Sequence, residues 1–415
     1  MSLMTKILLA PNPTGTGHNM RVLALGKKLI QENTDISITV LLGSRQDVFT
    51  PLFEKEGITV IDLSPTGIID YSKSSNLEQN LDWKTMITNY FVPTFFNGDK
   101  ILKYMTLINT LKPDLLISDY NINATFAAVM SNTKNAFVTE RHNFTLVDVS
   151  TDELEKGKFE VETADIISAQ KALNELFLWL VKNVDLIITD KVFMKNFKSD
   201  TQLMNYGDKT FFVGSMYADR TDDNHPIDFD KLGIDNDRPY IVATVSNTTM
   251  LAEDKENSIK LFTESFKLLK ETKPGIQFVL LGIDSEKQQM DTDLVFLPYL
   301  PNWRELIENS ALLIAHPGWI TVTEVSLLNI PTLFYLASYA EYHEVEAYKR
   351  LEQLDLPVFY GDDVQEFTKI VSPLLNLDSN NDIFKGYEIL SPYPNGLEKA
   401  INLLNQLIKG DELSI

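Results

Sequence analysis

The chain has 415 residues, 44% hydrophobic and 23% charged, with no cysteine and a formal net charge of −21. This is a globular composition with room for two domains. It excludes disulfides, thiolate metal sites and a cysteine nucleophile, and a field of this sign repels nucleic acid and anionic lipid. No nucleic-acid partner and at most peripheral membrane contact are therefore expected, and an anionic ligand would depend on local amides and dipoles. No run is long and apolar enough to span a bilayer. Met4 leads straight into a strand with no evident signal peptide, as expected of a cytoplasmic protein.

Residues 5–10 read as a strand. A glycine loop, Gly15-Thr16-Gly17-His18, follows, then a helix with Val22, Leu23, Leu25, Leu29 and Ile30 as its apolar positions. Residues 36–42 are the next strand, so the opening is a βαβ unit. The loop lacks the third glycine of a dinucleotide fingerprint. The second strand ends in Gly43-Ser44-Arg45, without a carboxylate for an adenosine ribose, so a nicotinamide dehydrogenase is rejected. A helix over 46–56 and a strand over 58–62 come next. Residues 64–112 are less regular and hold an aromatic run from Tyr90 to Phe96, with Tyr104 beyond it. Residues 113–119 form a buried strand ending in Asp119, at the edge where open α/β sheets bind ligands. Asp119 either serves such a site or caps the helix that starts at Asn121. The strand 135–139 delivers Glu140, Arg141 and His142, which suit acceptor contacts or internal ion pairs equally. A helix over 164–183 and strands 185–189 and 210–213 complete a seven-stranded first domain, residues 1–214. A polar linker covers 215–238.

The second domain, 239–380, opens with a strand over 240–245 that ends in Ser246 and Asn247. A helix (255–272) and two strands (276–282, 294–297) lead to Pro298-Tyr299-Leu300-Pro301-Asn302-Trp303. The strand 312–315 then breaks at His316-Pro317-Gly318 into a helix that Pro331 ends before the strand 332–336. Free amides of Gly318, Trp319, Ile320 and Thr321 at that helix start make an anion site. Thr321 adds a hydroxyl, and Glu324, three residues on, shares its helix face. Amides and hydroxyl suit phosphates; the carboxylate suits a sugar diol. Helices are expected over 362–375 and 396–409, and the segment 381–415 is expected to cross back onto the first domain.

The His316-x-Gly318-x-x-Thr321-x-x-Glu324 stretch resembles the donor-nucleotide site of GT-B glycosyltransferases, with Asn329 standing where that family has a glycine before the proline. The Gly15–His18 loop, with Arg21 and Leu23-Ala24-Leu25, is similar to the loop that faces the donor phosphates from the other domain. The resemblance implies two Rossmann-like α/β domains facing a cleft. It implies that His316 and Thr321 touch the diphosphate and Glu324 the ribose, that Gly15 and Gly17 face the phosphates, and that Ser246 and Asn247 lie beside them. Tyr299 and Leu300 would line the base pocket. His18 would deprotonate the acceptor hydroxyl, with Asp119 orienting its ring. The family's acid-amide pair that grips the donor sugar is replaced here by Tyr342 and His343, with Glu346 in place of an asparagine, so Glu341 or His343 would substitute.

The expected activity is inverting transfer of a sugar, hexosyl or N-acetylhexosaminyl, from a nucleotide-diphosphate donor, UDP-linked, to a hydroxyl on a small molecule, lipid or glycan. The alternatives are a nucleotide-sugar hydrolase or epimerase on the same scaffold, or a non-catalytic nucleotide-sugar-binding subunit. No cofactor and no metal are expected. Asp228-Phe229-Asp230 and Asp235-Asn236-Asp237 lie in the linker, and Asp291-Thr292-Asp293 precedes a strand, away from the cleft.

Overall fold

A computed structural model describes residues 4–13, 16–43, 46–63, 95–156, 160, 162–216, 226–245, 252–283, 293–298, 300, 302–339, 342–375, 384–391 and 394–415. Strands β1 (Thr5–Pro11), β2 (Ile36–Leu42), β3 (Thr59–Asp62), β4 (Leu115–Asp119), β5 (Asn135–Val138), β6 (Leu186–Thr189) and β7 (Thr210–Phe212) form one parallel sheet, ordered β3-β2-β1-β4-β5-β6-β7. Strands β8 (Tyr240–Thr244), β9 (Gln277–Leu281), β10 (Leu294–Leu297), β11 (Leu312–Ala315), β12 (Thr332–Leu336) and β13 (Val358–Tyr360) form the second, ordered β10-β9-β8-β11-β12-β13.

Both sheets are parallel because their strands are apolar on both faces and need helices on both sides. In β1, Ile7 and Leu9 join the core on one face while Leu8 and Ala10 join the core on the other. Every residue of β4, β5 and β11 is buried. The strand order reverses between β1 and β4 in the first sheet and between β8 and β11 in the second. Those reversals open a crevice at the carboxyl ends of the strands. Pro11 of β1 pairs with Asp119 of β4 in register, so both chain segments leave the sheet side by side at the first crevice.

Two details explain departures from simple sequence reading. Asn329 closes the helix Trp319–Leu328 in the left-handed conformation, φ 55° and ψ 41°. Asparagine tolerates that conformation best after glycine, so the cap survives the replacement. Strand β13 went unread because it is three residues at a sheet edge, just after Pro357, too short for a period. The final helix, Gly396–Lys409, buries Ala400, Ile401, Leu403 and Leu404 in the same cluster as Val22, Leu25 and Leu29 of the first domain. Gly396 has no room for a side chain there: a Cβ would sit 2.4 Å from the Gly214 and Ser215 carbonyl oxygens. No described helix is long and apolar enough to cross a membrane.

Candidate active site

The first crevice is framed by side-chain amides. Asn12 Nδ2 donates to the Tyr120 carbonyl at 3.0 Å, and Asn121 Nδ2 donates to the Pro11 carbonyl at 2.9 Å, so the two loops clamp each other. Gln46 Nε2 donates to Asn12 O and to Asn19 Oδ1. Tyr120 adopts φ 49°. That left-handed turn in a non-glycine residue is strained, and it turns the chain sharply just after Asp119. Asn121, not Asp119, caps the helix Ile122–Met130, through Ala124 N. Asp119 is thereby left for the site.

His18 lies in the first turn of the helix Thr16–Glu32, and its Nδ1 is 2.7 Å from Asp119 Oδ1. The histidine side chain is 23% exposed while Asp119 is wholly buried. Arg21, one turn further, is also wholly buried and sits at the centre of the cluster. Its Nε and Nη2 donate to the two oxygens of Asp119 at 2.6 and 2.7 Å. Its Nη1 donates to Glu140 Oε1 at 2.7 Å and to Asp190 Oδ2 at 2.6 Å. Burial alone would raise the Asp119 carboxyl, but the Arg21 guanidinium and His18 overcome it and hold it below the usual carboxylate range. Glu140 is held low in the same way: burial alone would raise it, but Arg21, His18 and Arg141 together overcome that. Asp190, at the end of β6, goes the other way: burial pushes it up to about 6 despite Arg21.

The loop after β5 makes internal contacts, the alternative to which its polar residues were equally suited. Glu140 is bound to Arg21, the Arg141 guanidinium donates to Thr145 Oγ1, and His142 Nε2 lies 2.7 Å from Asp148, which also takes Lys198. Polar residues at a strand end thus serve an internal network. The aromatic residues behind them do form one body: Phe95, Tyr120, Phe137, Phe144 and Phe177 pack edge to face, tilted or stacked. Residues 90–94 of the aromatic run lie outside the described residues.

In the second domain, β11 delivers His316, half-buried, and the Gly318 amide donates back to its carbonyl at 2.8 Å. Gly318 precedes the helix Trp319–Leu328, and a Cβ on it would meet nothing within 4 Å, so it faces open space. The amides of Trp319, Ile320 and Thr321 have no acceptor within their own helix. Across the cleft, Gly17 lies against Ile320: a Cβ there would come within 2.9 Å of Ile320 Cγ1. The two helix starts therefore meet, one carrying His18 and the other the free amides. Thr321 is half-buried, whereas Glu324 has no exposed surface and accepts a hydrogen bond from Trp303 Nε1 at 3.0 Å. Its neighbours on the helix, Val322 to Ser326, are all buried, because this helix lies inside the domain on most sides. Leu300 is half-buried against the same core. Gly15, Ser246, Asn247, Tyr299, Glu341 and the His343 side chain lie outside the described residues.

Sequence reading passed over a second network that joins the domains. Arg350 is wholly buried and donates to both oxygens of Asp200, at 3.0 and 2.7 Å, and to Glu346 Oε1 at 2.8 Å. Glu346 also receives Lys191 Nζ at 3.0 Å and Ser199 Oγ at 2.9 Å. Lys191 and Arg350 both lie over the Trp319 ring. The residue standing in place of the family's asparagine thus ties the two domains together. No sequence signal would have paired residues so far apart.

Among the described residues, no group of three or more acids and histidines is arranged to hold a metal. Asp228 caps the helix Phe229–Leu232, and Asp293 pairs with Arg238 and Lys270.

No protein-family profile and no curated protein matches the chain by sequence. Solved structures do. The calicheamicin glycosyltransferase CalG4 superposes with a TM-score of 0.66 at 13% identity, covering 98% of this chain and 99% of that one. The fold is that of the GT-B glycosyltransferases. Phytolacca americana UGT2, solved with UDP-2-fluoro-glucose and pterostilbene, matches at 0.65 and 13% identity over 98% and 99% of the two chains. A putative UDP-N-acetylglucosamine 2-epimerase from Listeria monocytogenes matches at 0.65 and 12% identity over 100% and 99%. The GT-B arrangement explains why the sequence motifs fall on the facing ends of two parallel sheets.

Proposed function

We propose that the protein transfers a sugar, with inversion, from a nucleotide-diphosphate donor, UDP-linked, to a hydroxyl acceptor. The observation that carries this reading is the meeting of the His18–Asp119 pair with the amide-bearing start of the helix Trp319–Leu328. With Nδ1–H donating to Asp119, His18 Nε2 accepts the acceptor's proton. The acceptor oxygen bonds the anomeric carbon as the bond to the diphosphate oxygen breaks, and the nucleoside diphosphate leaves. The amides of Trp319, Ile320 and Thr321 and the helix dipole stabilise the charge growing on it. Glu324, buried and bonded to Trp303 Nε1, would bind ribose hydroxyls once that indole shifts.

Gly318→Ala tests the phosphate site. The added methyl points into open space, so thermal stability should hold within about 0.5 kcal/mol. UDP affinity measured by calorimetry should weaken by about tenfold or more, because the methyl stands where a phosphate would approach the amides of Trp319, Ile320 and Thr321 and keeps at least one charge-assisted hydrogen bond from forming. Unchanged affinity would move the phosphates elsewhere. Because amides and a dipole take the place of a cation, turnover should survive EDTA. Loss of rate with chelator, restored by Mg²⁺ or Mn²⁺, would contradict this.

A second reading, epimerase or hydrolase, is supported on its epimerase side by the putative UDP-N-acetylglucosamine 2-epimerase, which spans the chain as fully as the transferases do. A screen of UDP-sugars with and without hydroxyl acceptors separates the two. Product formation that needs an acceptor supports transfer; product formed in its absence supports the second reading.

A further inference from the structure

The cluster around Arg21 holds more acid than a base-and-orienter pair requires. Asp119, Glu140 and Asp190 come from the ends of β4, β5 and β6, and all three bond one guanidinium. Arg21 and Asp119 alone would form a neutral pair. A histidine bonded to that pair would be oriented but would gain little charge to support an imidazolium. Glu140 and Asp190 occupy the Nη1 edge of Arg21, so they draw its charge away from Asp119 and fix the opposite edge against it. Asp190 is 1% exposed, and its Oδ1 is buried without a hydrogen-bond partner, so a surface role does not explain it.

Among the described residues, charged groups surround the cluster on several sides. His18 faces Asp119 and Arg21 and feels Glu140. Asp190 faces Arg21, with Glu140 and Asp119 beyond it. Glu140 also feels Arg141, which in turn faces Tyr120, Glu344 and Glu346. Lys191, next in the chain to Asp190, is directed to Glu346 of the second domain instead.

We propose that Asp190 is a positioning residue for His18: acting through Arg21, it leaves Asp119 the negative charge that supports an imidazolium and locks the guanidinium edge that holds Asp119 in line. The catalytic consequence rests on the reading of His18 as the base.

The test is a pH titration of the full chain with ¹³Cε1-labelled histidine, followed by NMR over about pH 5–9. The chain has five histidines, and the signal missing in His18→Ala identifies the relevant one. In Asp190→Asn the midpoint of the His18 signal should fall by about half a pH unit or more, a roughly threefold loss of proton affinity. The acid limb of the pH–rate profile should move the same way. Glu140→Gln, at a more exposed carboxylate, should shift both in the same direction, and it decides the matter if Asp190→Asn does not fold. A merely structural Asp190 would lower the melting temperature and leave both midpoints in place, which overturns the proposal. If instead His18→Ala keeps its rate at saturating donor, the base reading fails, while the titration still reports on the charge coupling.

Discussion

His18→Ala should turn over about 10²–10⁴-fold more slowly at saturating donor, the usual contribution of a general base, while holding UDP as tightly as the unaltered chain. The separation follows from placement. His18 belongs to the first domain, one turn from Arg21 and bonded to Asp119, whereas the free amides belong to the second. Removing the imidazole leaves those amides untouched. Asp119→Asn should also slow the reaction, since an amide at that position no longer stabilises the imidazolium. Stopped assays across pH, with calorimetry of UDP on the same preparations, check both. If UDP affinity falls with the rate, His18 is a phosphate ligand. If neither falls, it is a structural partner of Asp119.

The second large effect is on stability. Arg350→Met should destabilise the protein by about 3 kcal/mol or more, because it leaves Asp200 buried without its cation and leaves Glu346 to Lys191 alone. Calorimetric melting of the variant against the parent measures it. A change under 1 kcal/mol would mean that the network is dispensable. The same network carries a pH signature. Burial alone would raise the Glu346 carboxyl, but Lys191 and Arg350 overcome it and hold it far below the usual carboxylate range. A depressed folded value contributes stability that is present above the unfolded value of about 4.3 and is lost as pH falls below it. The melting temperature of the parent should therefore drop more steeply below about pH 4 than that of Glu346→Gln.

Much of the fold was legible because both sheets are built from apolar runs punctuated by glycine, proline and a polar residue at the strand end. Thus β1, β4 and β11 announced themselves together with His18, Asp119 and the His316–Gly318 turn. The pairing of His18 with Asp119 was expected from the resemblance alone; the structure supplies its cause, since both leave adjacent strands at the switch point. The networks were not. Arg21 is a single residue in an amphipathic helix, and its three acids are spread over more than 70 residues of sequence from Asp119 to Asp190. Only the strand order brings them together. Glu324 shows the limit of helical spacing: position three residues after Thr321 fixes the face, but the burial of that face depends on Trp303, which no local pattern reveals.

The most direct measurement is a crystal structure with UDP bound. The diphosphate should lie within hydrogen-bonding distance, about 3 Å, of the amides of Trp319, Ile320 and Thr321, with the nucleoside in the second domain and His18 facing the distal phosphate across the cleft. UDP bound away from the Gly318 turn, or bound mainly by the Arg21 cluster, would contradict this placement.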